Sequence, residues 1–132
     1  MIHVRAIIKG EPDVPPLLRT MSFENGSDEE IFFRSAIAVK EKLDRGLKLN
    51  VNESILLYCS YAVNGLRASI APAEIERQAR VILSHESVLI GVPESLQQLL
   101  IEAAVDGEAP VRLKIDSPIR LSNASSDFQP LV

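Results

Sequence analysis

Arg45-Gly-Leu-Lys-Leu-Asn50 is the stretch that decides how this chain folds. Gly46 reads as a helix stop, because a residue without a Cβ takes the left-handed conformation that closes a helix at low cost. Asn50 reads as the next start. Its side chain can accept from the amide of Glu53, and the glutamate can reach back to the amide of Asn50, the reciprocal pattern of a capping box. The segment is therefore a tight elbow between two helices.

On the N-terminal side of the elbow, Phe32, Ala36, Val39 and Leu43 recur in the rhythm of a helix that packs along one seam. That first helix follows Asn25-Gly26. Ser27 and Glu30 stand at capping-box spacing, and Asp28, Glu29 and Glu30 place negative charge at the positive end of the helix dipole. Glu30 with Arg34, and Glu41 with Arg45, form i,i+4 pairs that tune the helix without holding it. Nearer the N-terminus, Ile2, Val4, Ala6 and Ile8 alternate with His3, Arg5, Ile7 and Lys9, which suits a half-buried strand. Glu11-Pro-Asp-Val-Pro-Pro16 ends it, because proline supplies no ladder donor. A strand this short needs a partner, and the expected one is a hairpin near the C-terminus.

On the C-terminal side, Ser54-Ile-Leu-Leu-Tyr-Cys-Ser-Tyr-Ala-Val63 is apolar on nearly every side. It is read as a surrounded helix ended by Asn64-Gly65. A third helix starts near Ser69 to Pro72 and carries Ile75, Ala79 and Ile82 inward, with Glu74, Glu76, Arg77, Gln78 and Arg80 outward. Ser84-His-Glu-Ser87 has the look of a cap for a short fourth helix through Val88, Leu89 and Ile90, terminated by Gly91 before Pro93. Beyond Pro93 the periodicity divides. Leu96, Leu99, Leu100 and Ala103 have helical spacing, whereas Leu99, Ile101, Ala103 and Val105 alternate as in a strand. A helical turn to about Gln98 followed by two antiparallel strands around Asp106-Gly107, the second carrying Val111, Leu113 and Ile115, is the favoured reading. After Pro118-Ile119 the tail from Ser122 to Pro130 has little to bury and is expected to be mobile.

At 132 residues the chain is one domain's worth, 46% apolar but only 5% aromatic, so its core must be aliphatic. No apolar run is long enough for a membrane helix, and the N-terminus lacks the pattern of a signal peptide, which points to the cytoplasm. The net charge of −4 is spread along the helices without the basic stripe that nucleic acid binding needs. Cys59 cannot form an internal disulfide and reads as a buried small hydrophobe. His3 and His85 stand far apart, both read as exposed, and the chain holds no HExxH, CxxC, phosphate-binding glycine loop or GxSxG elbow. No catalytic, metal-binding or cofactor-binding residue is assigned.

The elbow together with Glu53 and, further on, Gly91-Val-Pro-Glu94 is similar to the gamma subunit of urease, the smallest chain of the bacterial-type enzyme. The likeness runs from about Ser22 to Glu94 and continues more loosely through Glu102-Ala103, Asp106-Gly107 and Pro118-Ile119. The resemblance and the residue patterns together give an α+β fold: a small, mainly helical domain of about four helices with a C-terminal antiparallel β-hairpin, which the N-terminal strand, itself outside the resemblance, is expected to join. It divides the chain into an N-terminal extension at 1–20, a urease-gamma-like domain at 21–120 and a flexible tail at 121–132. It also implies a non-catalytic structural subunit of a nickel-dependent urea amidohydrolase, whose two nickel ions and catalytic groups belong to the alpha subunit. The partners implied are the alpha and beta subunits. The residues carried over as an interface or scaffold set are Gly46, Lys48, Leu49, Asn50, Glu53, Gly91, Val92, Pro93 and Glu94. There are departures. Where the family has an acidic residue, glycine and then Ala-Arg-Asp-Gly, this chain reads Asn64-Gly-Leu-Arg-Ala-Ser69, matching at Gly65 and Arg67 alone. Val51-Asn52 lacks the family's proline, and Ser95-Leu-Gln97 replaces its Met-Ile-Pro. Such changes leave room for a second reading, a free-standing binding or assembly module that self-associates and has no part in urea hydrolysis.

Overall fold

The computed structural model describes residues 2–10, 17–23 and 26–120. The order of elements is β1 (Ile2–Lys9), β2 (Leu17–Phe23), α1 (Gly26–Asp44), α2 (Val51–Arg67), α3 (Pro72–Ala79), β3 (Leu83–Ser84), a 3-10 turn at His85–Ser87, α4 (Val92–Ser95), β4 (Gln98–Val105), β5 (Val111–Asp116) and β6 (Ile119–Arg120). The fold is α+β, four helices with antiparallel strands. The proline-rich 11–16 segment, the Ser27 side chain and the 121–132 tail lie outside the described residues.

Four strands form one sheet in the order β2-β1-β4-β5, and β3 and β6 form a parallel pair. β1 lies between β2 and β4, and pairs antiparallel with β4 from Ile2↔Val105 to Lys9↔Gln98. The expected pairing of the N-terminal strand with the hairpin is therefore observed. β2, which sequence reading did not find, covers the other edge of β1 from Ile2↔Phe23 to Ile8↔Leu17. The alternation in β1 is the one expected, with Ile2, Val4, Ala6 and Ile8 all buried. They pair with Leu99, Ile101, Ala103 and Val105 of β4, beyond which Leu113 and Ile115 of β5 pair with Ile101 and Leu99, and all are buried. The β4–β5 hairpin turns through Asp106 and Gly107, both at positive φ, +52° and +82°.

α2 lies over the buried side of this sheet as the centre of the core. Its buried residues include Ile55, Leu57, Tyr58, Cys59, Ala62 and Val63, and it touches α1, α3, β1 and β4. A helix apolar on most sides is thus surrounded within its own domain. Tyr58 donates its buried hydroxyl to the carbonyl of Pro118 at 2.8 Å, tying the helix to the β5–β6 connection. Burial pushes the Cys59 thiol up to about 12, so it is an uncharged core side chain at neutral pH.

Two expected helix ends differ from the structure. α2 does not stop at Asn64-Gly65 but runs on to Arg67. Gly65 serves packing instead: a Cβ there would lie 2.9 Å from the Cδ1 of Ile75, so the missing side chain lets α3 approach. The stop is Ser69 at φ +61°, with its amide donating to the carbonyl of Leu66 and the Ile70 amide to the carbonyl of Gly65. Second, Val88, Leu89 and Ile90 are not helical. Ser84 and Ser87 do bond reciprocally, but the cap opens only a single 3-10 turn. Gly91, at φ +94°, then begins α4 where a stop was expected. The helical pattern failed there because Val88 is drawn out to bridge a distant backbone.

Candidate interaction surface at the elbow

α1 closes with the Leu47 amide donating to Lys42 at 3.1 Å and the Gly46 amide to Leu43 at 2.9 Å, with Gly46 at φ +78°. These two bonds define a Schellman end, which needs the left-handed residue that glycine supplies. Four residues on, the Glu53 amide donates to Asn50 Oδ1 at 2.8 Å and the Asn50 amide to Glu53 Oε1 at 2.9 Å. The capping box read from sequence is thus formed. A third group joins it: Lys42 Nζ donates to both Glu53 oxygens at 3.0 Å, crossing from the last turn of α1 to the first of α2. Partial burial opposes charge on Glu53, but the Asn50 amide and the Lys42 ammonium outweigh it and hold the carboxyl below its usual range. Lys42 was not singled out from sequence, since only the folded elbow brings it to Glu53.

The second motif is delivered to the same place by backbone bonds. Leu49 donates to Ser87 at 3.0 Å and accepts from the amide of Leu89 at 2.9 Å, a parallel bridge to Val88. Leu49, Val88, Val92 and Leu96 are all buried beneath it. The N-terminal strand braces this turn from the side. Gln97 donates to the carbonyl of Lys9 at 2.9 Å, and Gly10 sits so close that a Cβ would be 2.9 Å from the carbonyl oxygens of both Glu94 and Ser95.

The nine carried-over residues therefore come together in space but divide by what their side chains do. Leu49 and Val92 are core, Asn50 and Glu53 cap α2, and Gly46 and Gly91 set backbone turns. Lys48, Pro93 and Glu94 remain, with Lys48 and Glu94 exposed and Pro93 half-buried. Beside them stand three exposed apolar side chains that sequence reading assigned to no surface: Leu47, Leu89 and Ile90, the last wholly exposed. Their signal was faint, since an apolar pair before glycine reads equally well as the end of a buried helix.

At the far end of α2, Arg67 gathers three elements. It donates to both Asp106 oxygens at 2.9 Å and to Glu29 at 2.7 Å, and its guanidinium lies 5.6 Å from the centre of the Phe33 ring. The Arg67 hydrogen bonds hold the carboxyls of Glu29 and Asp106 below their usual range. Gly65 and Arg67, the two matches retained in a divergent segment, thus have structural tasks. Among the described residues no group of three or more His, Cys, Asp or Glu side chains could hold a metal ion, so these residues do not fit a nickel site. Nor is any helix of the described residues long and apolar enough to cross a membrane.

Residues 21–119 match the family model for the urease gamma subunit. The chain is also similar to the urease subunit gamma of Halalkalibacterium halodurans, 36% identical over 76 residues that span 57% of this chain and 76% of the relative. The matched span includes the elbow, α2, the Gly91–Glu94 turn and the β4–β5 hairpin, whereas β1 and most of β2 precede it.

Proposed function

Because the chain belongs to the urease gamma-subunit family, we propose that it is a non-catalytic structural subunit of a urease-type nickel amidohydrolase, the enzyme that hydrolyses urea to ammonia and carbon dioxide. In this reading its work is assembly with alpha and beta subunits in the cytoplasm, and nickel belongs to the alpha chain. The observation that carries the reading is the bridge at Leu49, which draws two separated family motifs into one rigid surface and leaves Lys48, Pro93 and Glu94 free to face a partner. A surface held by backbone hydrogen bonds and a buried leucine loses little entropy on docking, which favours binding.

The test is coexpression of the full chain with the alpha and beta subunits from the same genome, followed by measurement of the native complex mass, nickel content and urea hydrolysis. The expected result is a complex that contains all three chains and hydrolyses urea. Lys48→Glu with Glu94→Lys, both exposed, should weaken that complex without changing the helical content of the isolated chain. A chain that stays apart from alpha and beta under these conditions would refute the subunit role and favour the free-standing module.

A further inference from the structure

In the sheet order β2-β1-β4-β5, β5 is an edge: among the described residues it pairs with β4 on one side and with no strand on the other. An edge strand presents its outward backbone groups to any other strand that can lie beside it. One bond shows which groups these are. The amide of Lys114 donates to Oε2 of Glu76 at 2.6 Å, so it points away from β4. In an antiparallel ladder opposed residues exchange both amide and carbonyl bonds or neither, in alternation. The carbonyl of Lys114 therefore points outward as well, and so do the amides and carbonyls of Arg112 and Asp116, two residues to either side. All three side chains are exposed.

Glu76 belongs to α3, which buries Ile75 and Ala79 in the core and lies against β5. The helical pattern put Glu76 among the outward charges, but the side chain is half-buried and turned onto the strand. Its carboxylate holds a backbone donor at the middle of the edge, where an added strand would have to bond. An N–H carries one proton, so a carboxylate oxygen at 2.6 Å leaves no place for the carbonyl of another strand. We propose that Glu76 is the latch of this edge: it holds β5 closed against strand addition, and without it a second copy of this chain adds its own β5, antiparallel, to make one continuous sheet. In the register centred on Lys114, Arg112 falls opposite the partner's Asp116 and Asp116 opposite the partner's Arg112, while the two Lys114 side chains face each other. Arg112 and Asp116 also keep contacts within the chain, to Glu102 at 3.0 Å and Gln98 at 2.8 Å, so the backbone ladder and not these charges drives the pairing. None of the elbow residues takes part.

The test uses the full chain alone, without partner subunits, and reads mass against concentration by sedimentation. Glu76→Ala removes the acceptor and is expected to reach twice the mass of the wild-type species as concentration rises. Glu76→Gln keeps an oxygen at the same reach and is expected to sediment as the wild type does, which separates the contact from the charge. Glu76→Ala combined with Lys114→Pro is the decisive sample. Proline there removes the outward N–H and leaves the ladder to β4 intact, so the mass should return to the wild-type value. Circular dichroism should show the same helical content in all three variants. A Glu76→Ala chain with the wild-type mass at every concentration, a Glu76→Gln chain that associates as Glu76→Ala does, or association that survives Lys114→Pro would each overturn the proposal. The last outcome covers a variant that is merely loosened, because aggregation of a partly unfolded chain does not depend on one edge amide. Each comparison is with the wild-type mass, so failure here would leave the coexpression result with alpha and beta untouched.

Discussion

Ser69 and Gly46 do the same work with different residues. Each closes a helix with its amide bonded three residues back and the next amide bonded five back, and each adopts positive φ, +61° and +78°. At Gly46 that conformation is nearly free, whereas for an L-residue with a Cβ it costs about 1–2 kcal/mol. Ser69→Gly should therefore stabilise the chain, by about 0.5–1 kcal/mol once the larger entropy of glycine in the unfolded chain is deducted. The check is the urea midpoint, which should rise at unchanged slope. Two further glycines test whether rigidity of the neighbour decides the cost of a methyl group. The Cβ of Gly10→Ala would press on the carbonyl oxygens of Glu94 and Ser95, which are backbone, while that of Gly65→Ala would meet the flexible tip of Ile75. Gly10→Ala should lose about 1–3 kcal/mol. Gly65→Ala should lose less, because alanine regains about 1 kcal/mol of helix propensity. The reverse ranking in chemical denaturation would show that the β1 end does not brace the Gly91–Glu94 turn.

Between elements, two ionic knots hold the α1–α2 hairpin at its ends. At the elbow, Asn50→Ala removes one acceptor and should cost about 1 kcal/mol. Its partner Glu53 has a folded-state pKa below the ordinary 4.5. A depressed carboxylate pKa contributes stability that is present above the unfolded value and is lost as pH falls through the folded one. Glu29 and Asp106 on Arg67 are shifted in the same direction. Stability should therefore decline on the acid side as these carboxylates take up protons. Glu53→Gln should flatten that limb and lower the plateau at neutral pH. An acid limb of unchanged slope in this variant would show that Glu53 gains nothing from the fold. Arg67→Lys should lower the melting temperature although the charge is kept, because one ammonium cannot reproduce the fork that grips Asp106 while also reaching Glu29.

For the molecule as a whole, the informative strand is β1. It precedes the span shared with the family, yet it is paired on both edges and its inner face is buried against the rest of the core. A strand so placed opens only when the sheet opens. Hydrogen exchange should therefore give the β1 amides that bond to β4 the same protection as the core of α2, both set by global unfolding. Val4→Asp, which puts a charge where 1% of the residue is exposed, should unfold the entire chain, the hairpin included. Faster exchange in β1 than in α2, or a folded Val4→Asp variant, would mean that the family-shared core stands without its N-terminal strand.

Local chemistry was legible from the residues themselves. The elbow with its capping box, the seam of α1, the burial of α2 and the alternation of β1 and β4 each follow from spacing within a few positions, where a helix or strand repeats its own geometry. The candidate site was half legible: its two motifs were found, but not that Leu49 joins them, that Lys42 completes the cap, or that Ile90 stands in water. The same limit explains β2, the extension of α2 past Gly65 and the extended Val88–Ile90. Each is settled by a partner far away in sequence: β1 for β2, Ile75 for Gly65, and Leu49 for Val88. The sequence by itself determined that α1, α2 and α3 would be helices and which faces of α1 and β1 would be apolar, because those are periodic properties of a short stretch. Only the tertiary structure decided which glycine stops a helix and which apolar residues remain exposed, because those depend on what the folded chain brings against them.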